Sequence, residues 1–207
     1  MLARRTNFPA ATGTPVVLTH TGEPDQSAAI IAWPTGAGSE GLPQSRKLEL
    51  LAQIFSNRLL DAMREKAGAS YSPYVGSNWP LDTHSGGNIL ALAQLPPNQV
   101  PAFFAAAEKI AADLAATGPT DDEIARVTEP MLQLLNRAQT GHGFWLQQLE
   151  GAAFDGNRVA YLRTLMSDYT QVTPAEMRAL AARYLGAKGG WQLAVLPQPA
   201  SARSTGR

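Results

Sequence analysis

The run LELLAQIFSNRLLDAMREKAGASYSPY, from Leu48 to Tyr74, constrains the fold more than any other part of the chain. Leu48, Leu51, Phe55, Leu59 and Met63 recur at steps of three and four, the spacing of one buried face on an α-helix. The helix is expected to stop at Gly68, because glycine has no Cβ to clash in the left-handed conformation just past a helix end. Ser70-Tyr71-Ser72 then reads as the start of an extended segment. Arg64 would sit in the last helical turn and Tyr71 just past the bend, so that a cationic donor and a phenol point at one place.

Strand patterns precede this helix. Pro15 to Thr19 is β-branched and apolar and ends in the turn-forming cluster Thr21-Gly22-Glu23-Pro24, and Ser27 to Trp33 forms a second such run closed by Pro34 and Gly36. Gly36 to Gly41 lacks the Lys-Ser/Thr ending of a phosphate-binding loop and the glycine spacing of a dinucleotide fingerprint, and reads as a flexible connection. After Tyr71 a strand is expected at Asn88 to Leu95, then a helix from Val100 to Ala116 ended by Thr117-Gly118-Pro119. Thr120-Asp121-Asp122-Glu123 is a capping-box pattern, and Pro130 is expected to kink or break the helix it opens. Leu132 to Phe154 is helical in character with an interruption near Gly141-His142-Gly143, and Arg158 to Tyr169 is a further amphipathic stretch. A second capping box, Thr173-Pro174-Ala175-Glu176, starts a helix through Leu185 that Gly186 closes, and Trp191 to Leu196 is a last strand.

Helices segregated from strands in this order predict an α+β fold of two layers, a mainly antiparallel sheet with helices packed on one face. Residues 1–13 read as a linker or leading segment, 14–196 as a single domain, and 197–207 as a disordered tail of proline, serine and arginine.

Composition removes several classes of function. With 44% hydrophobic and 16% charged residues the chain is an ordinary globular one. Lys plus Arg and Asp plus Glu both number 17, so no basic field favours nucleic acid. The longest apolar runs fall short of the roughly 20 residues a membrane helix needs. Cysteine is absent, which rules out disulfides, thiol nucleophiles and Cys–zinc sites.

The run SNRLLDAMREKAGASYSPY, preceded by two strands and followed much later by VTPAEMRALAARYL and a last short strand, resembles the C-terminal domain of the insulinase, pitrilysin and mitochondrial processing peptidase family, in a bacterial member. The resemblance covers roughly Val16 to Leu196, and its most specific part is Arg64-Glu65-Lys66 with Tyr71 seven residues after the arginine. It implies a fold of paired homologous α+β domains that close around a peptide. One domain would hold zinc through an inverted His-x-x-Glu-His motif, and its partner would supply an Arg and a Tyr to the substrate. That inverted motif is missing here: none of His20, His84 and His142 is followed by Glu-His at the required places. Three scattered histidines offer no compact ligand set for zinc, and surface or capping roles suit them better. The chain is therefore expected to hold no cofactor or metal of its own, to be inactive alone, and to depend on zinc in a partner domain of the same polypeptide or another subunit.

Negative charge grows on a scissile carbonyl oxygen as water attacks it, and a donor aimed there stabilises the transition state more than the substrate. Under the resemblance, Tyr71 is such a donor, and Arg64 binds substrate carbonyls or holds the phenol through its rigid fork of N–H groups. From the residues alone, an Arg in a last turn also complements the helix dipole, and a Tyr at a strand start also packs its ring and exposes its hydroxyl. Tyr74 and Trp79 are candidates to line a peptide groove. Glu65 and Lys66 read as a solvated rim, and Arg58 and Asp61 as exposed-face charges. The implied function is the non-zinc-binding domain of a zinc metallopeptidase, clamping peptide substrate against a zinc-bearing domain. The alternative is a non-catalytic structural or assembly subunit with the same fold. Bacterial relatives imply a periplasmic location, with the cytoplasm as the alternative, and the isolated chain is open to homo-oligomer formation.

Overall fold

The computed structural model describes residues 8–11, 13–67, 73–186 and 189–198, with side chains at all of these except 65–67. Two strands, β1 (Val16–His20) and β2 (Ser27–Pro34), lead into the long helix α1 (Leu42–Ala67). Strands β3 (Tyr74–Asn78) and β4 (Asn88–Leu95) follow, then α2 (Val100–Ala116) and α3 (Asp121–Ala138). The short helices α4 (His142–Leu149), α5 (Gly156–Leu162) and α6 (Leu165–Thr170) precede α7 (Pro174–Tyr184) and the returning strand β5 (Trp191–Pro197). The sheet has the order β1-β5-β2-β4-β3, and its pairs are antiparallel except for β1 with β5. This is the two-layer α+β arrangement the element order implies.

The predicted apolar face of α1 is what joins the layers. Leu48, Leu51, Phe55, Leu59 and Met63 are all 2% exposed or less. They meet Ala29, Ile31 and Trp33 of β2 and Ile89, Ala91 and Ala93 of β4 in one contiguous core. The Trp33 and Phe55 rings lie tilted with centroids 5.5 Å apart. Burying a side chain of this size contributes about 2 kcal/mol, so this stripe alone outweighs any single polar contact in the molecule. From α2, Phe103, Ala107, Ile110 and Leu114 join the same core. Both capping boxes form: Thr120 Oγ1 accepts from the Glu123 N–H at 3.2 Å while Glu123 accepts from the Thr120 N–H at 2.8 Å, and Thr173 with Glu176 repeats the pattern at 3.2 and 3.1 Å.

Three local expectations change. Pro130 does not break its helix, since α3 runs from Asp121 to Ala138 with Pro130 inside it. The proline is exposed, so the carbonyl it leaves without a donor can be hydrated, while buried Val127 and Thr128 before it and Leu135 after it hold both halves against the core. The stretch Arg158–Tyr169 is two helices rather than one, α5 ending at Leu162 and α6 starting at Leu165. Pro197 closes β5 instead of opening the tail. Residues 199–207, Gly68 and the other residues of the bend to Ser72 lie outside the described residues.

The opposite face of the sheet carries no helix among the described residues, and yet it is apolar. Val16, Leu193, Ile30, Leu92 and Tyr74 stand opposite one another in a single row across all five strands. Leu18 and Val195 flank that row on one side, Trp191 and Leu90 on the other. An antiparallel sheet with one solvated face ordinarily alternates apolar with polar residues, and this one is apolar on both.

Candidate functional site

The site suggested by sequence lies where α1 hands over to β3. Because the apolar stripe of α1 faces the core, Arg64, one position after the buried Met63, is turned outward and exposed. Among the described residues it makes no hydrogen bond or ion pair with its five N–H groups. Tyr71 lies outside the described residues, and with it the meeting of Arg64 and Tyr71.

Tyr74, the first residue of β3, is 59% exposed on the open face opposite Leu92. Its phenol lies along the strand over Gly76, where an added Cβ would fall 2.4 Å from the hydroxyl oxygen. Trp79 lies beyond the other end of β3 and is half-buried against the core on the helix side. Its Nε1 donates to the Gly38 carbonyl at 2.9 Å. Its ring rests on Gly36 and Gly41, where an added Cβ would come within 2.2 and 2.1 Å of ring carbons. The connection expected to be flexible is thus an ordered turn, helical over Ser39–Gly41, whose glycines make room for an indole. Tyr74 and Trp79 end on opposite sides of the sheet and do not share a groove.

Two polar clusters on α1 escaped the sequence reading. Arg58, expected on an exposed face, is half-buried and reaches α3: Nε donates to Glu123 Oε1 at 2.6 Å, and a terminal nitrogen donates to Oε2 at 2.8 Å and to the Gly118 carbonyl at 3.3 Å. The Arg58 hydrogen bonds, aided by the Thr120 N–H and working against burial, hold the Glu123 carboxyl down at about 2, and Glu123 in turn raises the pKa of Arg58. Asp61, by contrast, is exposed as expected. Near the other end of the helix, Arg46, 4% exposed, donates to Asp168 at 2.6 Å and to the Tyr161 carbonyl at 2.8 Å. One residue along, Tyr169 donates to Glu49 at 2.5 Å, and burial first, then the Glu49 charge, pushes its phenol far up. These contacts tie α6 to α1 beside a cleft of about 400 Å³ lined in part by Ser45, Glu49, Trp79 and Gln148. Arg46 precedes Arg64 by roughly 27 Å of helix, so the cleft and the α1–β3 junction are separate places. Pairing across sixty residues or more leaves no local signal, which is why no spacing rule could have found either cluster.

The residues do not suit a zinc ion. His20 Nδ1 accepts from the Gly22 N–H at 3.0 Å, which leaves Nε2 as the donor to the Gln26 carbonyl at 2.8 Å. Both ring nitrogens are committed to closing the β1–β2 turn. His84 is in the loop between β3 and β4 and His142 opens α4, both exposed. Among the described residues no three His, Cys, Asp or Glu side chains gather as a metal set.

A family model described as the peptidase M16 inactive domain matches residues 3–131. Among solved structures, the peptidase M16 inactive domain from Pseudomonas fluorescens superposes with a TM-score of 0.77 at 18% identity, over 97% of this chain and 47% of that one. The periplasmic protease PqqL from Escherichia coli gives 0.71 at 15% identity, over 91% of this chain and 21% of that one. The inactive peptidase domain of a zinc protease from Bordetella parapertussis gives 0.69 at 17% identity, over 87% and 98%. At these identities the likeness is one of fold. The chain spans less than half the length of the first two of these structures. No curated protein matches it in sequence.

Proposed function

Because the chain belongs to the family of peptidase M16 inactive domains, we propose that it acts as the metal-free half of a peptide clamp, closing on substrate against a zinc-bearing domain. The observation that carries this is Arg64: a cation presented at the end of a helix whose opposite face is fully buried, exposed and without a partner among the described residues. A guanidinium held on so rigid a support is pre-organised to donate to peptide carbonyls, which lowers the ordering cost of binding. Tyr71, seven residues on, would donate its hydroxyl to the carbonyl oxygen that gains charge during cleavage. The zinc of the partner domain would supply the activated water.

The uncovered apolar sheet face supports the same reading from another direction. An area of about five strands by seven residues, at spacings of roughly 4.8 and 3.3 Å, is on the order of 500 Å², the size of the largest apolar patches on monomers, which are often functional. It suits packing by a companion domain. The same face would equally serve a structural subunit that keeps the fold without contacting substrate, so activity has to decide. A periplasmic location belongs to this reading, and one protein of like fold, PqqL from Escherichia coli, is a periplasmic protease.

The test is peptide cleavage by the zinc-bearing partner with this chain added, comparing wild type with Arg64→Ala and Tyr71→Phe. Loss of one donor aimed at a developing oxyanion costs about two to three orders of magnitude in turnover. Unchanged turnover in both variants sinks the substrate-contact role and leaves the structural one.

A further inference from the structure

Among the described residues, the edge strand β1 is half-exposed on both faces and pairs with no strand along its outer edge. Val16, Val17 and Leu18 are 42, 54 and 52% exposed, although Val17 faces the helix side of the sheet and Leu18 the open side. The helix layer therefore stops short of β1. Among the described residues β1 pairs on one side only, with β5. Soluble proteins blunt such an edge with lysine, an inward charge, a proline or a bulge within the strand, and Val16-Val17-Leu18-Thr19-His20 contains none of these.

The backbone states which groups are free. The His20 carbonyl accepts from the Gln198 N–H at 2.8 Å, which continues the parallel ladder to β5. Alternate residues of a strand point their N–H and C=O to the same side. Val16, Leu18 and His20 therefore bond to β5, and Val17 and Thr19 present both their N–H and their C=O along the free edge.

We propose that β1 pairs antiparallel with β1 of a second copy of this chain, across a twofold axis through Leu18. In this register Val17 stands opposite the partner's Thr19, and the two exchange both hydrogen bonds, twice over by symmetry. Leu18 then stands opposite the partner's Leu18 as the close, non-hydrogen-bonded pair, side chain against side chain. The strand bears no charged carboxylate or amine to oppose its own copy. The sheets merge into one of ten strands, and the edge is abolished rather than guarded. Contact through one strand pair is at the small end of interface sizes, so the dimer is weak and concentration-dependent. It is independent of the peptidase reading, since it uses neither Arg64 nor Tyr71.

Sedimentation of the 207-residue chain over a concentration series tests this, with Leu18→Lys, Leu18→Glu and their equimolar mixture. Wild type is expected to pass from 22.1 kDa to twice that mass, each variant alone to stay monomeric at concentrations where wild type is mostly dimer, and the mixture to recover dimer. Recovery requires that position 18 face itself. Leu18 is half exposed, so both variants keep the fold, and matched circular dichroism and thermal unfolding verify it. Val17→Pro removes an edge N–H while leaving the ladder to β5 intact, and is expected to abolish the dimer as well. Wild type that remains monomeric throughout overturns the proposal. So does a mixture that fails to re-form dimer, or association that survives at position 18 but is lost on Leu92→Lys, which would assign it to the open face.

Discussion

Replacing Arg58 with Met and Glu123 with Gln, singly and together, isolates the contact that binds the second half of α1 to the start of α3. The geometry is a two-pronged guanidinium–carboxylate pair at 2.6 and 2.8 Å, with side chains 23 and 25% exposed. A depression of the Glu123 carboxyl from 4.5 to about 2 would be worth roughly 3 kcal/mol if none of it were screened. Part of that depression comes from the Thr120 N–H, and the pair is partly open to solvent, so the coupling between Arg58 and Glu123 is expected to be about 1–2 kcal/mol. The folded-state pKa lies below the unfolded one. The stabilisation is therefore full above about pH 4.5 and is lost as pH falls from there through about 2. Urea unfolding of the four proteins at neutral pH reads the coupling, and the same series between pH 5 and pH 2 reads its loss. Arg58→Met alone should cost more than the double variant's excess, because it strands a partly buried carboxylate. A coupling within error of zero at neutral pH, or one that persists unchanged at pH 2, would refute the assignment of this pair as the tie between the two helices.

Gly41→Ala places a methyl 2.1 Å from the Trp79 ring, and the overpacking should cost roughly 1–3 kcal/mol in urea unfolding with a red shift of Trp fluorescence; a neutral outcome would mean the indole does not rest there. Arg64→Ala is expected to leave stability within about 0.5 kcal/mol of wild type, because the side chain is exposed and touches nothing described, so that any loss of turnover reads as lost substrate contact and not as unfolding.

The pattern of Leu48, Leu51, Phe55, Leu59 and Met63 foretold a buried face, and that face is the middle of the core. The strands Asn88–Leu95 and Trp191–Leu196, the helix Val100–Ala116 and both capping boxes were equally legible, since each depends on periodicity or on residues a turn apart. Arg58 was misplaced for the opposite reason. Its neighbours on α1 say nothing of Glu123, which the fold brings from sixty-five residues away. Trp79, a candidate to line a groove with Tyr74, has its ring against the glycines at 36 and 41, which belong to another loop and left no signal near position 79. Of the candidate site, Arg64 stands exposed at the end of α1, as its helical phase required, and Tyr74 stands exposed on the open face.

By itself, the sequence determined most of the helices and strands, the two-layer α+β class they form, and that no inverted zinc motif is present. Those properties follow from short-range geometry: a period of 3.6 or 2, a cap, the spacing of ligands. Tertiary structure alone decided the strand order, and with it everything that depends on neighbours in space. Among the described residues it placed β1 at an edge, left a row from Val16 to Tyr74 on a face with no helix over it, and sent Arg46 into a buried ion pair and Arg58 into a partly buried one. Alternation along a strand reports that it has two faces. Only the packing of all five strands against one layer of helices reports which face is left open.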